Sequence, residues 1–387
     1  MSVEPPAIRA ARKDDHVELA SAQRAASSDA REFDDVEFVH HALDGIDAND
    51  VSLAVRVGEW HWPTPFYING MTGGTEQTGI INRELAIAAS ETGLPMACGS
   101  VSIALDAPDD AAIQRGFTVI RAENPDGFVM ANIGVGRPAI DAVRAVDLLQ
   151  ADALQVHLNA VQETVMPEGS RDFSSWLRSL ETLIAASPVP VVVKEVGFGL
   201  SRRTLERIND LGGRVADVSG KGGTDFLRIE NARRTSTEGD YSMLTGFGQS
   251  AMACLLDAPG DGPDLLASGG VRHPYDVVKA LAAGAKAVGV AGTFLETVRA
   301  GGAEALVPLI RQWLDQTTAI LALLGAQTPA HLTYTDMLVR GSLAEYCQLR
   351  GIDTPSLARR SRAMHTEAPS REANNPTDHT DLRSQKQ

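Results

Sequence analysis

Residues 267–295, ASGGVRHPYDVVKALAAGAKAVGVAGTFL, hold two short apolar runs that each end in glycine and are each followed by a helix-like spacing of apolar residues. Strand, glycine turn, helix and strand again is the unit of a parallel sheet. Gly269 and Gly270 in the first turn, and Ala291 and Gly292 in the second, let backbone N–H groups approach an anion with little or no side chain in the way. The helix that follows turns its positive end to the same place. Arg272 adds a cation beside the first turn. The stretch therefore predicts two adjacent strand ends that together hold a phosphate.

The same unit recurs upstream. Apolar segments FYINGM, LPMACGS, GFVMANIG, ALQVHLN, VPVVVKEVG and VADVSG precede DLLASGG and AVGVAG, with seven helix-like segments between them. Eight strands alternating with helices predict closure into an α/β (β/α)8 TIM barrel rather than an open doubly wound sheet. In such a barrel the site lies at the C-terminal strand ends, with a phosphate often held after strands seven and eight. The expected organisation is an N-terminal extension over 1–65 that contributes a substrate-binding arm, the barrel over 66–325, a C-terminal helical segment over 326–361, and a polar, disordered tail over 362–387.

The bulk properties narrow the partners. The chain has 387 residues, 43% hydrophobic and 22% charged, with a formal net charge of -15. That charge repels nucleic acid and anionic lipid at long range, so a phosphate-bearing ligand must be a small one met by local donors. No apolar run reaches the roughly 20 residues of a membrane span. The N-terminus lacks the apolar core of a secretory signal, and Cys98, Cys254 and Cys347 show no paired or metal-ligand spacing, so the expected setting is the cytoplasm.

Strand four alternates. Leu154, Val156 and Leu158 share one face, and Gln155, His157 and Asn159 share the other. A polar face inside a barrel is costly without a ligand or a network. Gln162 and Glu163 follow at the end where substrates sit; Glu163 reads as a general base, a surface carboxylate or a Mg²⁺ ligand completed by a diphosphate. Lys194, alone in the apolar run of strand five, is a candidate for an electron-rich ligand edge. Ser219 and Thr224 offer hydroxyls in DVSGKGGTDF after strand six, and RKDDH near the N-terminus holds Arg12, Lys13 and His16.

Taken together, RKDDH, MTGGT, Gly99–Ser100, ANIG, QVHLNAVQE, VVVKEVGFGLS, DVSGKGGTDF, SGGVR and AGTF resemble the type 2, FMN-dependent isopentenyl-diphosphate isomerases over most of residues 9–295. The resemblance implies that Met71, Thr72, Gly73, Ser100, Asn132, Lys194, Ser219 and Thr224 contact FMN, with Gly269, Gly270, Arg272, Ala291 and Gly292 on its phosphate. It implies Arg12, Lys13, His16 and Ser201 around the prenyl diphosphate, His157, Asn159 and Gln162 in a catalytic group, and Glu163 on Mg²⁺. It further implies NADPH or another donor to reduce the flavin, and a homo-oligomer of four or more subunits, with the arm supplied by the same or a neighbouring chain. Two departures stand out: many members carry an Arg shortly after GS where this chain has Ser102, and their WGIPT segment is GFGQS here.

The nearest rival is an FMN-dependent 2-hydroxy-acid oxidase, which needs a His base and a carboxylate-binding Arg after strand six; DVSGKGGTDF offers neither. An IMP dehydrogenase-like barrel needs a nucleophilic Cys in a Gly-rich loop, and neither Cys98 nor Cys254 fits. A non-catalytic flavin or prenyl-diphosphate sensor is a third possibility, against which Gln162, Glu163 and Lys194 argue.

Overall fold

The computed structural model describes residues 6–26, 31–235, 237 and 239–362. Of the tail expected over 362–387, all but its first residue lies outside the described residues.

All eight expected strands form, and they close into one parallel barrel. In chain order they are Phe66–Ile68, Met96–Ala97, Val129–Gly134, Ala153–His157, Val191–Lys194, Val215–Asp217, Asp264–Ser268 and Ala287–Val290. Alternation along each strand sorts side chains into two sets. Leu154, Val156, Val191 and Val193 join the large shell packed under the helices. Tyr67, Ala97, Met130, Ala153, Val192, Val215, Leu266 and Ala287, one from each strand, form a separate core that fills the barrel.

Towards the C-terminal strand ends the filling turns polar. Asn69, Asn132, Gln155, Lys194, Asp217 and Ser268 are all buried there. Asp217 is the hub of this layer's far side, accepting Tyr67 Oη at 2.8 Å, Asn69 Nδ2 at 3.3 Å and Ser268 Oγ at 2.8 Å. The interior is thus an apolar floor beneath a hydrogen-bonded layer, and a ligand at the mouth meets polar groups that the floor has fixed in place.

The N-terminal extension serves both ends of the barrel. A hairpin of Val55–Val57 and Trp60–Trp62 plugs the bottom, where Val57 and Trp62 enter the interior core and Trp62 packs 5.2 Å from the Phe128 ring. The helix Pro6–Ala26 lies over the mouth of its own barrel. Asp14 accepts from Thr75 Oγ1 at 2.7 Å, Glu18 pairs with Arg299 at 2.5 Å, and the Gln23 amide clamps Asp225 through both its main-chain O and N. Between them, the strand Val36–Phe38 pairs antiparallel with Met337–Val339, tying the extension to the C-terminal segment.

After strand eight the helix Gly292–Leu323 breaks at Gly301 and Gly302, so it is two helices joined by a kink. The last segment is less helical than the sequence suggests. It carries the 3-10 turn Pro329–Tyr334 and the strand Met337–Val339 before the helices Gly341–Arg350 and Thr354–Leu357. None of the described helices is long and apolar enough to cross a membrane.

Candidate active site at the barrel mouth

A cavity of about 960 Å³ opens at the C-terminal strand ends beneath the N-terminal helix. It is at the upper end of what one small ligand needs, and large enough for a cofactor with a small substrate beside it. Its walls include Arg12, Lys13, His16, Met71, Thr72, Ser100, Asn132, His157, Asn159, Gln162, Glu163, Lys194, Ser219, Thr224, Gly269, Gly270, Arg272, Ala291 and Gly292. Positions spread over some 280 residues of sequence are brought to one surface.

Two expected residues are not among them. Ser201 caps the helix Arg202–Asp210, its side chain accepting from the Thr204 amide and lying 3.0 Å from Thr204 Oγ1. Gly73 packs under the ring of Phe117, where a Cβ would come within 2.1 Å of Cε1. Their sequence context is explained by helix capping and close packing.

The end of the cavity at strands seven and eight rests on interlocked glycine turns. Gly269 has φ +98 and its Cβ would lie 1.9 Å from the Gly220 carbonyl oxygen; Gly270 has φ +80 and faces Gly222. Backbone conformation and loop contact therefore both demand glycine here, and the same absence of side chains bares the main chain to the cavity. Asp276 Oδ2 accepts the Arg272 amide at 2.9 Å and Arg31 Nη1 at 2.6 Å, while Arg31 also donates to the Gly270 carbonyl at 3.0 Å. Beside it, the helix starting at Gly292 has no side-chain cap at Ala291 and turns its positive end to the cavity.

The residues present fit a flavin mononucleotide. Thr72 Oγ1 is buried on the cavity wall with no hydrogen-bond partner among the described residues. Lys194 is buried with its Nζ on the Glu195 carbonyl at 2.8 Å, which leaves ammonium hydrogens for a ligand acceptor. Ser219, at the end of strand six, is held at φ 39, uncommon for a residue with a side chain, while its amide donates to Asp217 Oδ1 at 3.1 Å. Glu195 folds its own loop: Oε2 accepts from the amides of Val196, Gly197 and Phe198 at 2.6, 2.9 and 2.6 Å. Burial nevertheless outweighs those donors and pushes its carboxyl up to about 7.

The opposite wall holds a network whose centre the sequence reading missed. Glu230, on the helix Phe226–Arg233, is fully buried. Its Oε1 accepts Gln162 Nε2 at 2.8 Å and lies 2.9 Å from His16 Nε2, and its Oε2 takes Arg233. Burial disfavours the ion, but the close approach of His16, the Gln162 hydrogen bond and the Arg233 charge win and bring it down to about 2. Burial also holds His16 below its usual 6.5, which favours a neutral imidazole with its Nε2 against the Glu230 carboxylate. Arg233 continues to Glu168 at 3.0 Å, and Glu168 to Arg12 at 2.7 Å. The N-terminal arm is thus wired to Gln162 through partly buried ion pairs and the fully buried Glu230.

Asn159 organises the helix Ala160–Val165 that carries this chemistry. Its Nδ2 donates to Gln162 Oε1 at 3.3 Å and to Glu163 Oε1 at 3.1 Å, while the Ser170 amide donates to Glu163 Oε2 at 2.8 Å. Among the described residues no three His, Cys, Asp or Glu side chains gather to hold a metal by themselves. Ser102, where many relatives of the resembled family carry Arg, lies on the cavity wall with its Oγ 2.9 Å from Ser100 Oγ.

A family model for FMN-dependent dehydrogenases matches residues 137–339. An isopentenyl-diphosphate delta-isomerase of Kitasatospora griseola is 56% identical over 91% of this chain and 95% of its own. Its counterpart in Streptomyces sp. (strain CL190) is 54% identical over 92% and 96%. The chain belongs to the isopentenyl-diphosphate delta-isomerase family. A more distant member of that family, from Staphylococcus haemolyticus, keeps 43% identity over 89% of this chain and 97% of its own. Among solved structures, a flavocytochrome b2 variant superposes with a TM-score of 0.60 over 94% of this chain and 87% of its own, at 17% identity. A mandelate oxidase does so at 0.57 over 85% and 99%, at 16% identity. At that identity the likeness is one of fold.

Proposed function

We propose that this enzyme interconverts isopentenyl diphosphate and dimethylallyl diphosphate by an allylic proton shift, with reduced FMN, and Mg²⁺ on the diphosphate. The observation that carries the reading is Gln162 on the wall of a cavity able to hold a flavin, held from behind by the buried Glu230. Reduced flavin supplies an electron-rich, water-excluding face beside which a tertiary carbocation-like species can form. NADPH is the expected reductant.

The protein's own residues then do three things. Thr72, Lys194 and the glycine turns after strands six to eight orient the cofactor. Arg12, Lys13 and an uncapped helix end supply positive charge in an acidic protein, and Glu163 offers the one carboxylate that Mg²⁺ needs when the diphosphate provides other oxygens. Gln162, held at Nε2 by Glu230 and at Oε1 by Asn159, is fixed in one orientation towards the alkene. The ionised, desolvated Glu230 favours positive charge developing within reach of that amide.

The fold resembles 2-hydroxy-acid oxidases, but the turn after strand six supplies no His and no Arg between Val218 and Asp225, where that chemistry needs them. The test is to reduce the FMN-loaded protein anaerobically with Mg²⁺ present and follow isopentenyl diphosphate by NMR. Formation of dimethylallyl diphosphate supports the proposal. No conversion sinks it, and oxidation of lactate or glycolate would favour the oxidase reading.

A further inference from the structure

The polar layer of the barrel contains a row of side-chain dipoles that the scheme above leaves unused. Gln155, fully buried in strand four, places Nε2 3.8 Å from Met130 Sδ. Its Oε1 accepts from Asn132 Nδ2 at 3.1 Å, and Asn132 Oδ1 lies 2.8 Å from His157 Nδ1. Barrel pairing sets these distances, since Asn132 is the register partner of Gln155 and Gly134 that of His157.

The direction of the row is decided at its apolar end. A thioether sulfur has lone pairs and no hydrogen, so Gln155 must turn its NH₂ towards Met130. The reverse orientation would set a carbonyl oxygen against sulfur and exchange a weak hydrogen bond for lone-pair repulsion. Once the Gln155 NH₂ is committed, its Oε1 can only receive the Asn132 NH₂, and Asn132 is left to offer Oδ1 to the histidine. An oxygen acceptor requires a hydrogen on Nδ1. A neutral imidazole carries one hydrogen, so Nε2 keeps its lone pair.

We propose that Met130, Gln155 and Asn132 lock His157 in the Nδ1–H tautomer, making Nε2 a hydrogen-bond acceptor aimed at the ligand and Gln155 a positioning residue acting through Asn132. Only the ligand's identity rests on the function proposed above. Burial, with the charges of Lys194 and Lys13, keeps the ring neutral by lowering its pKa to about 3. Access is provided by Gly134 on the cavity wall, where a Cβ would stand 3.2 Å from Nε2 and cover the lone pair. On the other side, the register partner of His157 is Lys194. The mouth therefore presents an acceptor next to a cation: it suits a ligand edge where an N–H or O–H adjoins an electron-rich atom. It does not suit a direct contact between Nε2 and diphosphate oxygens, which accept and do not donate. His157 is thereby moved from the catalytic acids and bases to ligand recognition.

The experiment is ¹⁵N NMR of the FMN-loaded full chain with ¹⁵N-labelled histidine, the His157 signals being assigned by their loss in His157→Asn. The proposal expects a protonated Nδ1 and an unprotonated Nε2, unchanged between pH 5.5 and 8.5. In Gln155→Leu the tautomer ratio should fall by about tenfold, the effect of losing roughly one hydrogen bond of orienting energy. Met130→Leu, which keeps the volume and removes only the sulfur, should move the ratio in the same direction and serves if Gln155→Leu does not fold. A role limited to packing would lower thermal stability without touching the ratio. An Nε2–H tautomer or an imidazolium at neutral pH in the wild type overturns the proposal, as does an unchanged ratio in the variants. Because the tautomer is read without turnover, a protein that has the Nδ1–H form but fails to isomerise substrate would sink the function proposed above and leave this inference standing.

Discussion

Replacing Glu230 by Gln tests the buried network at its centre. The substitution keeps the shape and an acceptor for Gln162 but removes the charge that His16 and Arg233 face. Hydrogen bonds to charged groups contribute about 1.5–3 kcal/mol and neutral ones about 0.5–1.5, so three contacts each losing about 1 kcal/mol sum to about 3. The titration leads to the same figure: a carboxyl that falls from 4.5 to about 2 on folding stabilises the native state by about 3 kcal/mol at neutral pH. The sign follows from the native state preferring the ion. The stabilisation is complete above pH 4.5 and is lost as the pH falls through about 2. Denaturant unfolding of wild type and Glu230→Gln across pH 7 to 2 should show a difference of about 3 kcal/mol that shrinks towards zero at the acid end. The penalty for charging the buried His157 is common to both proteins and cancels. A difference independent of pH would refute the ionised-network argument. Turnover should fall by about 10²-fold or more with FMN retained, because the residue orients Gln162 and does not hold cofactor.

Glu195→Gln should behave in the opposite sense: the folded carboxyl is raised to about 7, so the wild type loses stability relative to the variant as pH rises from 4.5 to about 7, by about 1.4 kcal/mol per pH unit. Equal differences at pH 5 and pH 8 in denaturant unfolding would contradict this. Glu163→Gln should weaken Mg²⁺-dependent turnover while the protein keeps its flavin absorbance; loss of the flavin would show that this carboxylate serves the cofactor instead. Arg12→Ala removes a charge-assisted partner of Glu168 at 2.7 Å and a cation from the cavity, and should raise the substrate KM by about tenfold or more. An unchanged KM would take the arm out of the site.

The barrel was legible because parallel strands buried on both faces read as short apolar runs closed by glycine, and eight of them could be counted. Strand four was legible for the same reason in reverse: Gln155, His157 and Asn159 break the pattern on one face, and all three lie in the polar layer or at the mouth. Glu230 was not. It sits in FLRIENARR among charged residues typical of a solvated helix face, 68 residues from Gln162, and only tertiary packing reveals that this face is turned inwards. Ser201 is ambiguous in the opposite way, since a serine before a charged helix reads equally as a cap or a ligand contact, and the structure shows the cap through Thr204. Gly73 in MTGGT packs against the Phe117 ring, a contact that no motif marks. The Trp60–Trp62 plug had no repeat or motif to mark it, and the arm's attachment to its own barrel depends on contacts such as Gln23 with Asp225 that no spacing encodes.

The central claim, an allylic proton shift at this mouth, is tested most directly by isotope exchange. Anaerobic, reduced, FMN-loaded protein with Mg²⁺ and isopentenyl diphosphate in D₂O should give dimethylallyl diphosphate carrying deuterium in a methyl group, with deuterium also entering recovered isopentenyl diphosphate. Recovery of unlabelled, unisomerised substrate under those conditions would contradict the account.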